Sequence, residues 1–124
     1  MIECNGYSDR TQRAGSASVV FVYLDEIPEG QIVTNAVISA TIFTTVHGDY
    51  TTAKYINIGI ERNGVKFYLK GTDVGTGNTV ISNSPVVVIP AGWRPFAEFE
   101  DTATSTTYEV NVVGRLYSSS MPTV

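Results

Sequence analysis

The 124-residue chain is poor in the residues that build metal, redox and nucleophilic sites, with one cysteine and one histidine. Cys4 has no second cysteine to pair with, so no disulfide can form within the chain. The lone His47 excludes a metal site built on several histidines, and the carboxylates do not recur at the spacing of a calcium loop. We therefore expect no metal and no organic cofactor.

Long apolar runs and basic stripes are also missing. No run approaches the roughly 20 residues that a membrane helix needs, and the N-terminal segment lacks the apolar core of a signal peptide. Eight Lys and Arg stand against twelve Asp and Glu, which gives a net charge of −4, and the basic residues are scattered. We therefore expect a protein that is made in a cytoplasm, binds no nucleic acid and does not insert into a membrane.

Catalytic motifs are scarce as well. A serine-type hydrolase would need His47 as its base, and no serine lies in a nucleophile elbow. Glu98 and Glu100 could form a glycosidase pair, but this spacing is common along a solvated strand. The sequence therefore favours a protein without enzymatic activity.

What the sequence does contain is a β pattern. Val, Thr, Ser, Gly and Tyr are prominent, 43% of the residues are hydrophobic, and period-two alternation is interrupted repeatedly by glycine, proline or small polar residues. About seven short strands without a helix predict an all-β fold, an antiparallel β-sandwich of jelly-roll or immunoglobulin-like type. We predict a single domain over residues 17–120, preceded by a polar N-terminal arm or loop over residues 1–16.

Individual segments give sharper predictions. Asn63-Gly64 is the preferred pair for a type I′ turn and predicts a hairpin. The expected cross-strand pairs are Glu61 with Lys66, Ile60 with Phe67, and Ile58 with Leu69.

A long strand over residues 31–46 is expected to turn one face to the core through Ile32, Ala36, Ile38, Ala40 and Ile42. Pro85 predicts a sheet edge or a bulge. The last strand, over 105–120, is expected to alternate Tyr108, Val110, Val112 and Leu116 against Glu109, Asn111 and Arg115.

The segments "IERNGVKFYLKG", "VVVIPAGWRPFAEFED" and "TYEVNVVGRLY" follow one another in an informative order. In order and spacing they resemble the β-sandwich domains at the tips of tailed-bacteriophage fibres and baseplate receptor-binding proteins. In those domains a strand pair precedes a turn of the type "(L/I)PAG(Y/F/W)RP", matched here by residues 89–95, and a later strand has a glycine near its end, here Gly114. The resemblance covers about residues 55–117 and implies a non-enzymatic virion protein, displayed on the particle surface as a homotrimer.

Two functions follow from this resemblance. The first is a receptor-binding or fibre-tip adhesion module for host cell-surface polysaccharide. The alternative is a capsid decoration (cement) or head-fibre protein that docks on the shell and stabilises it. Besides itself, the expected partners are other virion proteins or a host surface glycan. Strands such as "VVFVYL" and "VVVI", apolar on both faces, favour an oligomer because they need cover beyond one partner sheet.

The candidate ligand-binding residues lie in two segments. The loop "HGDY" brings His47, Asp49 and Tyr50 together, and Trp93 with Arg94 could stack on and hydrogen-bond to a sugar ring. Against a ligand role for Trp93, Pro90 and Pro95 restrict the backbone on both sides, Gly92 permits a positive φ, and Phe96 and Phe99 follow closely. We favour a structural role for Trp93, as the side chain that pins a rigid corner by aromatic packing.

Overall fold

The structure is a computed structural model that describes residues 2–15, 19–44, 54–75, 79–100 and 106–119. These ranges form nine β-strands and no helix, and accordingly no helix that could cross a membrane. The strands are β1 (Ile2–Gly15), β2 (Val19–Tyr23), β3 (Gln31–Thr44), β4 (Lys54–Arg62), β5 (Val65–Gly75), β6 (Thr79–Asn83), β7 (Val87–Ile89), β8 (Arg94–Glu100) and β9 (Thr106–Ser119).

The strands build two antiparallel sheets that pack face to face. Sheet 1 has the order β1-β9-β3-β6, with β7 also paired to β3, and sheet 2 has the order β2-β8-β4-β5. Because β6 and β7 pair with the same strand, they act as one interrupted strand. Apart from the β4–β5 hairpin, which lies within sheet 2, successive strands alternate between the sheets, and the strand order in each sheet is that of a jelly roll. The predicted β-sandwich is confirmed, and of the two topologies left open it is the jelly roll.

The interruption between β6 and β7 contains Pro85, as expected of a proline at a sheet edge. Ser84, within this interruption, forms two hydrogen bonds with Ile38 of β3. Its N–H donates to the carbonyl of Ile38 at 2.8 Å, and its hydroxyl accepts from the N–H of Ile38 at 2.9 Å. The break therefore costs little backbone hydrogen bonding, although proline has no N–H.

The core lies between the sheets and is apolar. Its fully buried large side chains include Tyr108, Phe99, Ile38, Ile56 and Ile58. Phe99 of sheet 2 contacts Tyr108 of sheet 1 with 5.0 Å between ring centroids, which joins the two layers at the centre. On β9 the predicted alternation is confirmed, with Tyr108, Val110 and Val112 fully buried.

The prediction of an N-terminal arm over residues 1–16 was wrong. Residues Ile2–Gly15 form β1, which pairs with β9 in one continuous register from Ile2 opposite Ser119 to Gly15 opposite Thr106. The sequence did not indicate this strand because its residues are mostly polar. As an edge strand, β1 contributes little to the core, and Tyr7 on its inner side is only partly buried against it. A boundary at residue 17 would therefore cut a strand from sheet 1.

The inward face of β3 differs from the prediction at one end. The register with β9 shifts between Thr34 and Val37, and Asn35 has φ 50°, so the strand has a bulge at this point. One extra residue reverses the alternation, and Val33 is fully buried while Ile32 is 37% exposed. Ala36, Ile38, Ala40 and Ile42, beyond the bulge, are buried as predicted.

The hairpin between β4 and β5 is confirmed. Asn63 and Gly64 have φ 51° and 81°, both positive as a type I′ turn requires. Two predicted pairs, Glu61 with Lys66 and Ile60 with Phe67, are present, but Ile58 faces Lys70 and not Leu69 because the register shifts between Ile58 and Gly59. A Cβ on Gly59 would lie 2.4 Å from the carbonyl oxygen of Phe67 and 2.8 Å from the ring of Phe96.

Candidate functional site

The segment that contains Trp93 forms a tight turn. The N–H of Trp93 donates to the carbonyl of Pro90 at 3.2 Å, and Gly92 has φ 85°, which together define a type II turn. Two further backbone hydrogen bonds, from Gly92 N–H to the carbonyl of Ile27 at 2.8 Å and from Ile27 N–H to the carbonyl of Trp93 at 2.9 Å, attach the turn to the β2–β3 connection. The turn is therefore fixed from both sides.

The side chain of Trp93 is half-buried and packs against the margin of the core. The predicted aromatic packing with Phe96 and Phe99 is not among the ring contacts of the described residues: Phe96 contacts Phe21, Tyr23 and Tyr68, and Phe99 contacts Tyr108. The core contact is what a residue that stabilises the turn would make, and a sugar-stacking role for Trp93 stays a prediction.

Arg94, at the start of β8, belongs to a cluster of charges on the outer face of sheet 2. In the register of this sheet, Glu61 of β4 lies between Arg94 and Lys66 of β5. Arg94 Nη2 lies 2.6 Å from Glu61 Oε1, and Lys66 Nζ lies 3.1 Å from Glu61 Oε2. The side chain of Glu61 is only 6% exposed, so both cations neutralise a nearly buried carboxylate.

The electrostatics of the cluster follow from this geometry. The hydrogen bond from Arg94 lowers the pKa of Glu61 below its ordinary value, against the opposing effect of burial, and Lys66 adds to the lowering. The hydrogen bond to Glu61 raises the pKa of Lys66 in turn. Both shifts favour the charged forms of Glu61 and Lys66.

Aromatic rings also contact the side chains of Arg94 and Lys66. The guanidinium carbon of Arg94 lies 3.8 Å from the centroid of the Tyr23 ring, and Lys66 Nζ lies 5.0 Å from the centroid of the Phe21 ring, both within cation–π range. Arg94 is thus held between a carboxylate and a ring. The sequence predicted the pair of Glu61 with Lys66 but not the contact with Arg94, because Glu61 and Arg94 are 33 positions apart and only the β4–β8 pairing brings them together.

Two open clefts lie beside the cluster, where the β2–β3 connection, the β4–β5 turn and the turn of Trp93 meet. One, of about 340 Å³, is lined by residues that include Asp25, Glu61 and Arg94. The other, of about 580 Å³, is lined by residues that include Arg62 and Glu29. Polar and charged groups of both signs line them, and in the described part of the chain no group of three or more His, Cys, Asp or Glu could hold a metal ion.

His47, Asp49 and Tyr50 lie outside the described residues. Of the five candidate residues only Trp93 and Arg94 are described, and the shared ligand role of all five stays a prediction.

A second surface stands out on the outer face of sheet 1. Because Val110 and Val112 point inward, Val113, Arg115 and Tyr117 point outward, next to Thr34 and Val37 of β3. Exposed aliphatic side chains mark the same side of the sheet. They are Val113 (53% exposed), Val88 (50%), Ile81 (61%) and Ile32 (37%). The expectation that the segment "VVVI" leaves apolar groups uncovered is met by Val86 and Val88.

No protein-family model and no curated protein matches the sequence. Among solved structures, the fold is similar to a chain from the acid-stable capsid of Helicobacter pylori bacteriophage KHP30, with a TM-score of 0.55 and 17% identity over 99% of this chain and 95% of that chain. A chain of the infectious bursal disease virus T13 particle matches with a TM-score of 0.47 and 11% identity over 93% of this chain and 35% of that chain. At these identities the likeness to the KHP30 chain is one of fold.

Proposed function

We propose that this chain is a non-enzymatic structural protein of a bacteriophage virion, and that it acts as a capsid decoration protein on the outside of the shell. The observation behind this is the jelly-roll strand order together with the likeness to a phage capsid chain over almost the whole length of both chains. The two chains are therefore of similar size. The likeness is to a small capsid component and not to one domain of a much larger chain.

Receptor binding, the other function implied by the sequence, has less support from the described residues. Of its five candidate residues, Trp93 packs against the core and Arg94 is engaged by Glu61 and Tyr23. A guanidinium held in this way has fewer free donors for a sugar. The homotrimer and a host polysaccharide as ligand remain predictions, which light scattering and a glycan array would test.

A phage from which the gene has been deleted tests the proposed function. We expect its particles to assemble with heads that lack one layer of surface density in cryo-electron microscopy, and to lose their DNA at a lower temperature than wild-type particles. The purified chain, added back, should restore both. If the protein is instead found at the tail tip, or the mutant particles have unchanged heads but fail to adsorb to cells, the adhesion function is right and the decoration function is wrong.

A further inference from the structure

The outer face of sheet 1 is large enough for a stable protein contact. Three of its strands, β1, β3 and β9, have 14 residues each. At about 3.3 Å per residue and about 4.8 Å between strands, four strands give a face of roughly 45 by 20 Å. This is close to the roughly 800 Å² that each partner contributes to an interface of standard size.

Charge is sparse on this face. Arg10 and Glu109 neutralise each other through an ion pair, with Gln12 Nε2 donating to the second oxygen of Glu109 at 3.2 Å. The outer face of sheet 2, in contrast, has the charge cluster of Glu61, Arg94 and Lys66. Depletion of charge, together with exposed aliphatic groups, is the composition found in the core of protein interfaces.

Arg115 is the exception on the outer face of sheet 1. It is exposed, lies between Val113 and Tyr117 along β9, and is flanked across the sheet by Gly6 of β1 and Thr34 of β3. No described residue forms an ion pair with it. Among the described residues, the face therefore has one positive charge without an ion-pair partner, on a chain with a net charge of −4.

Gly6 gives independent support for an approach from outside. Its φ is not positive, the β1–β9 register has no bulge, and a Cβ added to it would meet nothing within 4 Å. Nothing in the described part of the chain therefore requires glycine here, although glycine weakens a strand. A strand glycine often marks the close approach of another backbone or ligand, and Gly6 lies directly beside Arg115.

We infer that the protein docks through the outer face of sheet 1, with Gly6 and Arg115 in the contact, onto an apolar surface of a capsid shell subunit that places a carboxylate against Arg115. This inference rests on the proposed decoration function. A second copy of the chain that docked by this same face fits less well, because the described residues of that face would offer Arg115 only another Arg115 or Glu109, which Arg10 already neutralises.

The test uses particles from the gene-deleted phage, to which purified chain is added back, with bound copies measured by co-sedimentation across a concentration series. Arg115→Glu and Gly6→Val are the test variants. Two control variants lie on β5 of sheet 2. Lys70→Glu, at an exposed lysine, matches the charge reversal of Arg115→Glu, and Val65→Asp, at a residue that is 65% exposed, tests the edge of sheet 2. Thermal melting of each free variant confirms that it folds. We expect Gly6→Val to melt no lower than wild type.

The expected result is that Arg115→Glu and Gly6→Val weaken docking at least about tenfold, while both sheet 2 variants bind as wild type. If the sheet 1 variants bind normally and a sheet 2 variant does not, the docking face is wrong but the decoration function stands. If the wild-type chain does not bind the particles, the decoration function fails and the inference with it. A wild-type dimer in solution that Gly6→Val dissociates would identify a second copy as the occupant and overturn the shell contact.

Discussion

Replacing Gly59 by alanine tests the packing of sheet 2 most directly. The added Cβ would lie 2.4 Å from the carbonyl oxygen of Phe67 and 2.8 Å from the ring of Phe96. The first of these atoms is backbone in the adjacent strand, so β5 would have to move. The second belongs to a fully buried ring, held by Tyr23 at 5.9 Å and Tyr68 at 5.6 Å between centroids. Neither neighbour can retreat without breaking other contacts.

The magnitude follows from these contacts. Overpacking of a tight core costs about 1–3 kcal/mol, and a clash with backbone places Gly59→Ala at the upper end of this range. Alanine also restricts the unfolded chain, which offsets about 0.4–1 kcal/mol. The expected net loss is about 2–3 kcal/mol, a large part of the roughly 5–15 kcal/mol that stabilises an ordinary domain.

Gly6→Ala is the matched control, because it makes the same substitution in a strand where the new Cβ meets nothing. It should leave the free energy of unfolding unchanged or raise it by up to about 1 kcal/mol. Urea unfolding at neutral pH, followed by far-ultraviolet circular dichroism, measures both variants. If Gly59→Ala is within about 0.5 kcal/mol of Gly6→Ala, the close packing of Phe96 over Gly59 is wrong.

Three further outcomes are expected. Trp93→Ala should lower the free energy of unfolding by about 2–3 kcal/mol, which is less than for a fully buried tryptophan because the ring is half-exposed. If the variant keeps its stability but loses attachment to host cells, Trp93 belongs to a receptor site. The pKa of Glu61 is lowered from its ordinary value of about 4.5, so the ionised carboxylate stabilises the fold above pH 4.5 and this stabilisation is lost as the pH falls below that value. The stability difference between wild type and Glu61→Gln should therefore shrink between pH 7 and pH 3. A difference in urea midpoints that stays constant over this range would contradict this. Excess chelator should leave the melting temperature unchanged, and a fall of about 10 °C would reveal a metal site.

Features that depend on neighbouring residues could be predicted from the sequence alone. Asn63-Gly64 determines its turn because both residues tolerate positive φ. Gly92 does the same for the turn before Trp93. The alternation along β9 indicated its buried face because side chains point to opposite sides of a strand in turn. The β-sandwich class followed from the same local signals, repeated along the chain.

Features that depend on distant residues were decided by the tertiary structure. β1 looks like a polar arm until β9, about 100 positions away, supplies its hydrogen-bond partners. The bulge at Asn35 reverses which side of β3 is buried, and it lies beside Gly114, where a Cβ would lie 2.8 Å from the side chain of Val33. Period-two alternation contains no information about which strands become neighbours. The jelly-roll order, the contact of Arg94 with Glu61 and the exposed surface around Arg115 therefore exist only in the folded chain.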